Sequence, residues 1–236
     1  VKERLGGMHS ARCVMTSVDF ADIEALQSSG EWEEAGRLLA LEAQGLEAAG
    51  ADFLVLCTNT MHRVAREVRE AVGIPLLHIG DVASREVLNA GFGAVALLGT
   101  AFTMEQPFYR NFISAYGIDV LVPPEPERAS IHRIIYEELV LGVISDASRD
   151  ELAEIIRDLV ARGAQGVILG CTELELLIGQ EDSPVPVFPT TRLHAVAAVD
   201  EALRWHTREI RPWVLRARGQ CCPGRGTQGC SPRRCP

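Results

Sequence analysis

Val167-Ile168-Leu169-Gly170-Cys171-Thr172-Glu173 is the stretch that decides the fold. Its apolar run is too short for a helix. It is continuous rather than alternating, so it reads as a strand covered on both faces, as in a parallel sheet. The run ends on a cysteine and passes straight into a helical pattern. A second stretch, Phe53-Leu54-Val55-Leu56-Cys57-Thr58-Asn59-Thr60, repeats the arrangement. Gly50-Ala51 precedes the first run and Gly163-Ala164 the second, and a threonine follows each cysteine, so the chain contains two related half-sites. A lone cysteine is ordinarily a small buried hydrophobe. Two thiols at strand C-termini, each before a helix N-terminus, are instead placed for chemistry.

Working outward, strand and helix patterns alternate. Strands are expected over 12–18, 53–57, 75–79, 94–98, 118–122, 167–171 and 185–188. Helices are expected over 32–49, 60–72, 81–90, 104–116, 130–141, 149–162 and 191–204. Repeated βα units imply parallel sheets with helices on both faces, an α/β doubly wound architecture whose ligands sit at the strand C-termini.

Polar residues gather at those ends. Thr58, Asn59 and Thr60 follow the first cysteine, Thr100 and Thr103 follow the 94–98 strand, and Thr172 and Glu173 follow the second cysteine. Short hydroxyl and amide groups beside free helix N–H groups suit a carboxylate, and each also has the plain use of capping a helix. A thiolate held at the positive end of a helix is expected to form at lowered pH. Two such groups on opposite faces of one carbon can remove a proton from one side and return it from the other. That inverts a stereocentre with no cofactor.

The chain has 236 residues, 47% of them hydrophobic, and a net charge of −9. The segment 204–236 carries eight arginines against one glutamate, a net +7, which leaves −16 on the body. An acidic body argues against nucleic-acid binding, and no apolar run is long enough to span a membrane. The basic tail holds Cys221, Cys222, Cys230 and Cys235 without paired C-x-x-C spacing, so it reads as a disordered appendage rather than a metal site.

Cys57-Thr58-Asn59-Thr60-Met61-His62 and Gly170-Cys171-Thr172-Glu173 resemble the paired cysteine motifs of the cofactor-independent aspartate/glutamate racemase family. So do Arg4-Leu5-Gly6-Gly7 with His9-Ser10-Ala11, Ser17-Val18-Asp19-Phe20, Gly30-Glu31-Trp32, Leu97-Leu98-Gly99-Thr100 with Thr103-Met104-Glu105, and Ile135-Tyr136-Glu137-Glu138-Leu139. Together they are similar to its broad-specificity amino-acid racemase branch, over residues 1 to about 203.

The resemblance implies two pseudo-symmetric α/β domains, 1–92 with 189–203 and 93–188, with the active site in the cleft between them. It implies Cys57 and Cys171 as opposed acid and base, and Thr58, Asn59, Thr60, Thr100 and Thr172 as substrate-binding residues. Arg4, His62, Glu173 and His194 are candidates for support. His62 would either lower the Cys57 pKa or face solvent, and Glu173 would either orient Cys171 or cap its helix. No metal and no cofactor is implied. The partner is a small-molecule amino acid, aspartate or glutamate or a broader set, the candidate assembly a homodimer, and the expected location the cytoplasm.

Three departures qualify the resemblance. Family members begin with a first strand and a Gly-rich loop that this sequence does not contain. Pro189 replaces the usual Asp. Val140 and Leu141 stand where aspartate-selective members carry a cation, which favours broad or non-acidic amino acids. The rival readings are another reaction on a two-cysteine scaffold, such as hydantoin racemisation, maleate isomerisation or decarboxylation, and a non-catalytic remnant that binds a small acid or folds poorly.

Overall fold

The structure, a computed structural model, describes residues 1–208, with side chains placed through Arg204. Residues 204–208, expected to begin a disordered tail, continue the last helix, and the rest of that expectation, including its four cysteines, lies outside the described residues. Val1–Glu201 form one compact unit.

Both sheets are parallel. The first pairs β1 (Leu54–Val55) with β2 (Leu76–Leu77). The second has four strands in the order β4 (Asp119–Leu121), β3 (Ala94–Gly99), β5 (Val167–Gly170), β6 (Val187–Pro189). β3 and β5 are its centre and are buried on both faces, as their unbroken apolar runs require. Ala96, Leu98, Val167 and Leu169 meet the helices α8 (Glu125–Arg133), α9 (Asp146–Ala161) and α10 (Leu174–Leu177) on one face. Val95, Leu97 and Ile168 meet α5 (Ile79–Asn89) and α7 (Pro107–Ser114) on the other.

The register aligns Gly99 with Gly170 at the ends of β3 and β5. A Cβ on Gly99 would lie 2.9 Å from the Gly170 carbonyl oxygen, and one on Gly170 would lie 3.0 Å from the Leu98 carbonyl oxygen. Two glycines therefore let the strand ends close up, which brings Thr100 and Cys171 out at one level.

In the first half, α3 (Trp32–Ala48) buries Ala35, Leu39 and Ala43 at four-residue spacing against Leu54 of β1. Helices α1 (Lys2–Leu5) and α2 (Phe20–Ser29) precede it. Asp19 caps α2 by accepting from the Ala21 N–H, and Gly30 ends it in the left-handed region.

Several expectations are corrected. Residues 12–18 form no strand: Val14 and Met15 are exposed and the segment joins no ladder, because a strand is held only where its N–H and C=O groups find a neighbouring edge. The helix expected over 104–116 is two helices, α6 (Ala101–Glu105) and α7, since Gln106 precedes Pro107 and is pushed to extended backbone. The helix expected over 60–72 opens as a 3-10 turn, Thr60–Val64, before α4 (Ala65–Glu70). The one expected over 130–141 passes from α8 into a π-turn, Ile134–Glu138, and a 3-10 turn, Leu139–Leu141, ended by left-handed Gly142. The last helix, α11, runs Thr190–Arg208. No described helix is long and apolar enough to cross a membrane.

Candidate active site

A cleft of about 360 Å³ opens at the C-terminal ends of β1, β3 and β5. Cys57, Thr58, Asn59 and Thr60 enter it from the end of β1, Thr100 from β3, and Cys171, Thr172 and Glu173 from β5. The structure thus brings all seven predicted catalytic and binding positions to one cavity, with Glu173 beside them.

The thiols differ. Cys57 is exposed, and its Sγ lies 3.8 Å from the Val55 carbonyl oxygen. Cys171 is 7% exposed and donates its S–H to Glu173 Oε2 at 3.0 Å. The same carboxylate oxygen accepts from Thr172 Oγ1 at 2.6 Å. Partial burial raises the Cys57 pKa above the ordinary thiol value. Cys171 is raised further, by burial first and then by the negative charge of Glu173 and the S–H donated to it. This corrects the expectation that helix N-termini lower both thiols. The segments that follow them are a five-residue 3-10 turn and a four-residue helix. Backbone N–H groups of Glu173 and Leu174 pull Cys171 downward but are outweighed.

The hydroxyls form a network. Thr60 Oγ1 lies 3.2 Å from Thr100 Oγ1 and 3.4 Å from Thr103 Oγ1, and Thr100 and Thr103 are 3.2 Å apart. Thr100 also caps α6, so its structural and cleft-lining uses coexist. Asn59 is fixed at both ends: its Nδ2 donates to Thr190 Oγ1 at 3.0 Å and its Oδ1 accepts from Tyr109 Oη at 2.7 Å. Thr190 in turn donates to the Leu169 carbonyl at 2.7 Å. The loop after Cys57 is thereby tied to β5.

Three proposed supports lie outside the lining. His62 is buried beneath the loop. Its Nε2 accepts from the Ile79 N–H at 3.1 Å, so Nδ1 carries the proton and donates to the Thr58 carbonyl at 2.6 Å. Burial, with His78 and His194 nearby, holds His62 well below its ordinary value. His194 contacts the Leu77 carbonyl at 2.9 Å, and burial lowers it too. Burial lowers His78 to about 4. Arg4 is exposed and forks onto Asp200 of α11, with both contacts at 3.0 Å.

Sequence reasoning missed other residues. Phe20 and Gln27 of α2 and Tyr136 of the π-turn line the cleft. Tyr136 Oη meets Gln27 Oε1 at 3.5 Å, and burial raises the phenol to about 12. Asp19 and Gly30, which flank the ten residues of α2, were the available signal for that helix. Tyr109 and Thr190 carried none, because their roles are long-range contacts.

An α/β fold with two thiols in one cleft at parallel strand ends is the class that this geometry defines. The chain belongs to the Asp/Glu/hydantoin racemase family, a family of isomerases, whose profile it matches over residues 1–198. A crystal structure from Yersinia pestis assigned to the Asp/Glu racemases is 50% identical, with a TM-score of 0.81, covering 86% of this chain and 89% of that one. An aspartate racemase homologue from Pyrococcus horikoshii OT3 is 33% identical with a TM-score of 0.75, covering 86% and 88%. The broad-specificity amino-acid racemase RacX of Bacillus subtilis is 24% identical over 169 residues, 69% of this chain and 70% of its own length.

Proposed function

We propose that the protein is an amino-acid racemase in which Cys57 and Cys171 exchange protons with opposite faces of the substrate α-carbon. The observation that carries this reading is that both thiols line one cleft, each at the end of a parallel strand. In the resting protein Cys171 is the better-held acid, its S–H directed to Glu173, and Cys57 is the thiol that ionises first.

Binding an α-ammonium group beside the thiols favours their charged forms and lowers the cost of ionisation. The Cys57 thiolate takes the α-proton and becomes a thiol. The resulting carbanion spreads charge into the α-carboxylate, where the hydroxyls of Thr60 and Thr100, the amide of Asn59 and, once it turns from Glu173, the hydroxyl of Thr172 supply hydrogen bonds. Cys171 donates its proton to the opposite face and becomes the thiolate. Exchange with solvent then resets the pair, which titrates as a coupled unit. The opposite enantiomer runs the sequence in reverse. No cofactor enters these steps. The segments 1–92 with 189–203 and 93–188 serve as the two lobes that each contribute one thiol.

The test is incubation of the 236-residue chain with single enantiomers in deuterated buffer, reading α-deuterium by mass and configuration by chiral chromatography. Deuterium should appear together with inversion. Absence of both for every amino acid overturns the proposal.

A further inference from the structure

We infer that Glu173 receives the α-ammonium group of the substrate, and that this contact releases Cys171 and Thr172 for the reaction. The inference rests on the two-thiol reading and adds to it a binding role for Glu173 and a step that arms the second thiol.

In the resting protein the Cys171 proton is aimed away from where the reaction needs it. The S–H points at Glu173 Oε2, 3.0 Å away, whereas protonation of the substrate requires it at the α-carbon. The Thr172 hydroxyl is held at the same oxygen, 2.6 Å away, and so is turned from a substrate carboxylate. Both groups are idle until another donor takes their place. Both contacts fall on Oε2, and Oε1 accepts no hydrogen bond among the described residues.

An α-amino acid brings that donor. Its ammonium carries three N–H bonds and a full positive charge, and Glu173 is the one carboxylate among the described residues that line the cleft. The other ionisable groups in the lining are the two thiols and the phenol of Tyr136, whose pKa burial raises to about 12. An N–H on a cation bonds a carboxylate roughly twice as strongly as a neutral donor does, and a thiol is a weak donor. The ammonium therefore displaces the S–H. Being a cation, it also offsets the charge that opposes ionisation of Cys171. The freed S–H turns to the α-carbon and the freed Thr172 hydroxyl to the α-carboxylate. In the reverse direction the neutralised Glu173 lets Cys171 give up its proton and act as the base. A ligand without the ammonium leaves Cys171 held.

The test uses two ligands that cannot react, since neither has an α-hydrogen. Pivalate is 2-aminoisobutyrate with the ammonium replaced by a methyl group. Their dissociation constants are measured by NMR titration of the 236-residue chain and of Glu173→Gln. The wild type should favour 2-aminoisobutyrate at least about tenfold, and Glu173→Gln should lose at least about tenfold of that ratio without binding pivalate more weakly. A wild type with no such preference overturns the inference, as does a ratio that the substitution leaves unchanged.

Release is read in the wild type alone, so the outcome does not depend on how the variant folds. The infrared S–H stretch of Cys171 is assigned by its absence in Cys171→Ser. On saturation with 2-aminoisobutyrate it should move to higher frequency or vanish through ionisation, and with pivalate it should stay. A stretch unmoved by 2-aminoisobutyrate, or moved alike by both ligands, overturns the release. Neither measurement involves turnover. Exchange of α-hydrogen without this discrimination removes the inference and leaves the two-thiol reading, whereas absence of exchange on every amino acid removes that reading itself.

Discussion

The two cysteine strands are alike in sequence and unlike in structure. β5 lies between β3 and β6, its four residues are fully buried, and its thiol is covered and bonded to Glu173. β1 has two residues and one paired neighbour, and its thiol is exposed. Similar local sequence therefore yields a rigid, strongly acid-holding end in one half and a looser, more readily ionised end in the other. The difference comes from the neighbours. An apolar run is a strand in both places, but sheet position sets its stability and a single carboxylate sets the chemistry of its cysteine.

The largest effect expected from this contrast is on stability. Leu169→Ala empties a site in the middle of the second sheet, with helices on one side and strands on both, and should cost about 3 kcal/mol. Val55→Ala, at a half-buried position in the two-stranded sheet, should cost about 1 kcal/mol. Urea denaturation of the two variants gives the comparison, and equal costs would mean that the halves are held alike.

Acid should weaken the first half before the second. His62, His78 and His194 are all lowered in the folded protein, so the unfolded chain binds their protons first. Their contribution is present at neutral pH and is lost as pH falls from the unfolded value near 6.5 through about 4 for His78. For His78 the loss is about 3 kcal/mol in all, about 2 kcal/mol of it by pH 5. Amide hydrogen exchange at pH 5 should show β1, β2 and the turn after Cys57 opening while β3 and β5 stay protected.

Thiol labelling gives a smaller effect. At pH 8, Cys171 should alkylate at least tenfold more slowly than Cys57, because it is buried and its ionisation is opposed by Glu173. Peptide mapping after iodoacetamide reads both rates. Glu173→Gln removes the negative charge, lowers the Cys171 pKa and should speed its labelling a few-fold, leaving Cys57 unchanged. The alkaline rise of kcat/KM should then begin at lower pH in the direction where Cys171 is the base.

Much of this was legible in the sequence, for definite reasons. The runs 94–98 and 167–171 identified the central strands because strands covered on both faces leave continuous apolar stretches. The period of α3 located that helix within a residue of its end. The positions brought to the cleft followed from strand ends, since parallel sheets place ligands there. Other features depend on partners distant in sequence. The run 12–18 looks like a strand but forms no ladder. Asn59 depends on Tyr109 and Thr190, and the tautomer of His62 on Ile79. The thiol pKa values were misjudged because burial and Glu173 outweigh short helices, and neither burial depth nor a 3.0 Å contact is written in a motif.

The most direct test of the central claim is α-hydrogen exchange by Cys57→Ala and Cys171→Ala, each assayed separately with the two enantiomers of a good substrate in deuterated buffer. Two opposed bases predict that racemisation falls about 10³-fold in both variants. Each variant should keep deuterium exchange on one enantiomer only, and the two should keep opposite ones. Racemisation at the wild-type rate in either variant, or exchange on the same enantiomer in both, would contradict the assignment.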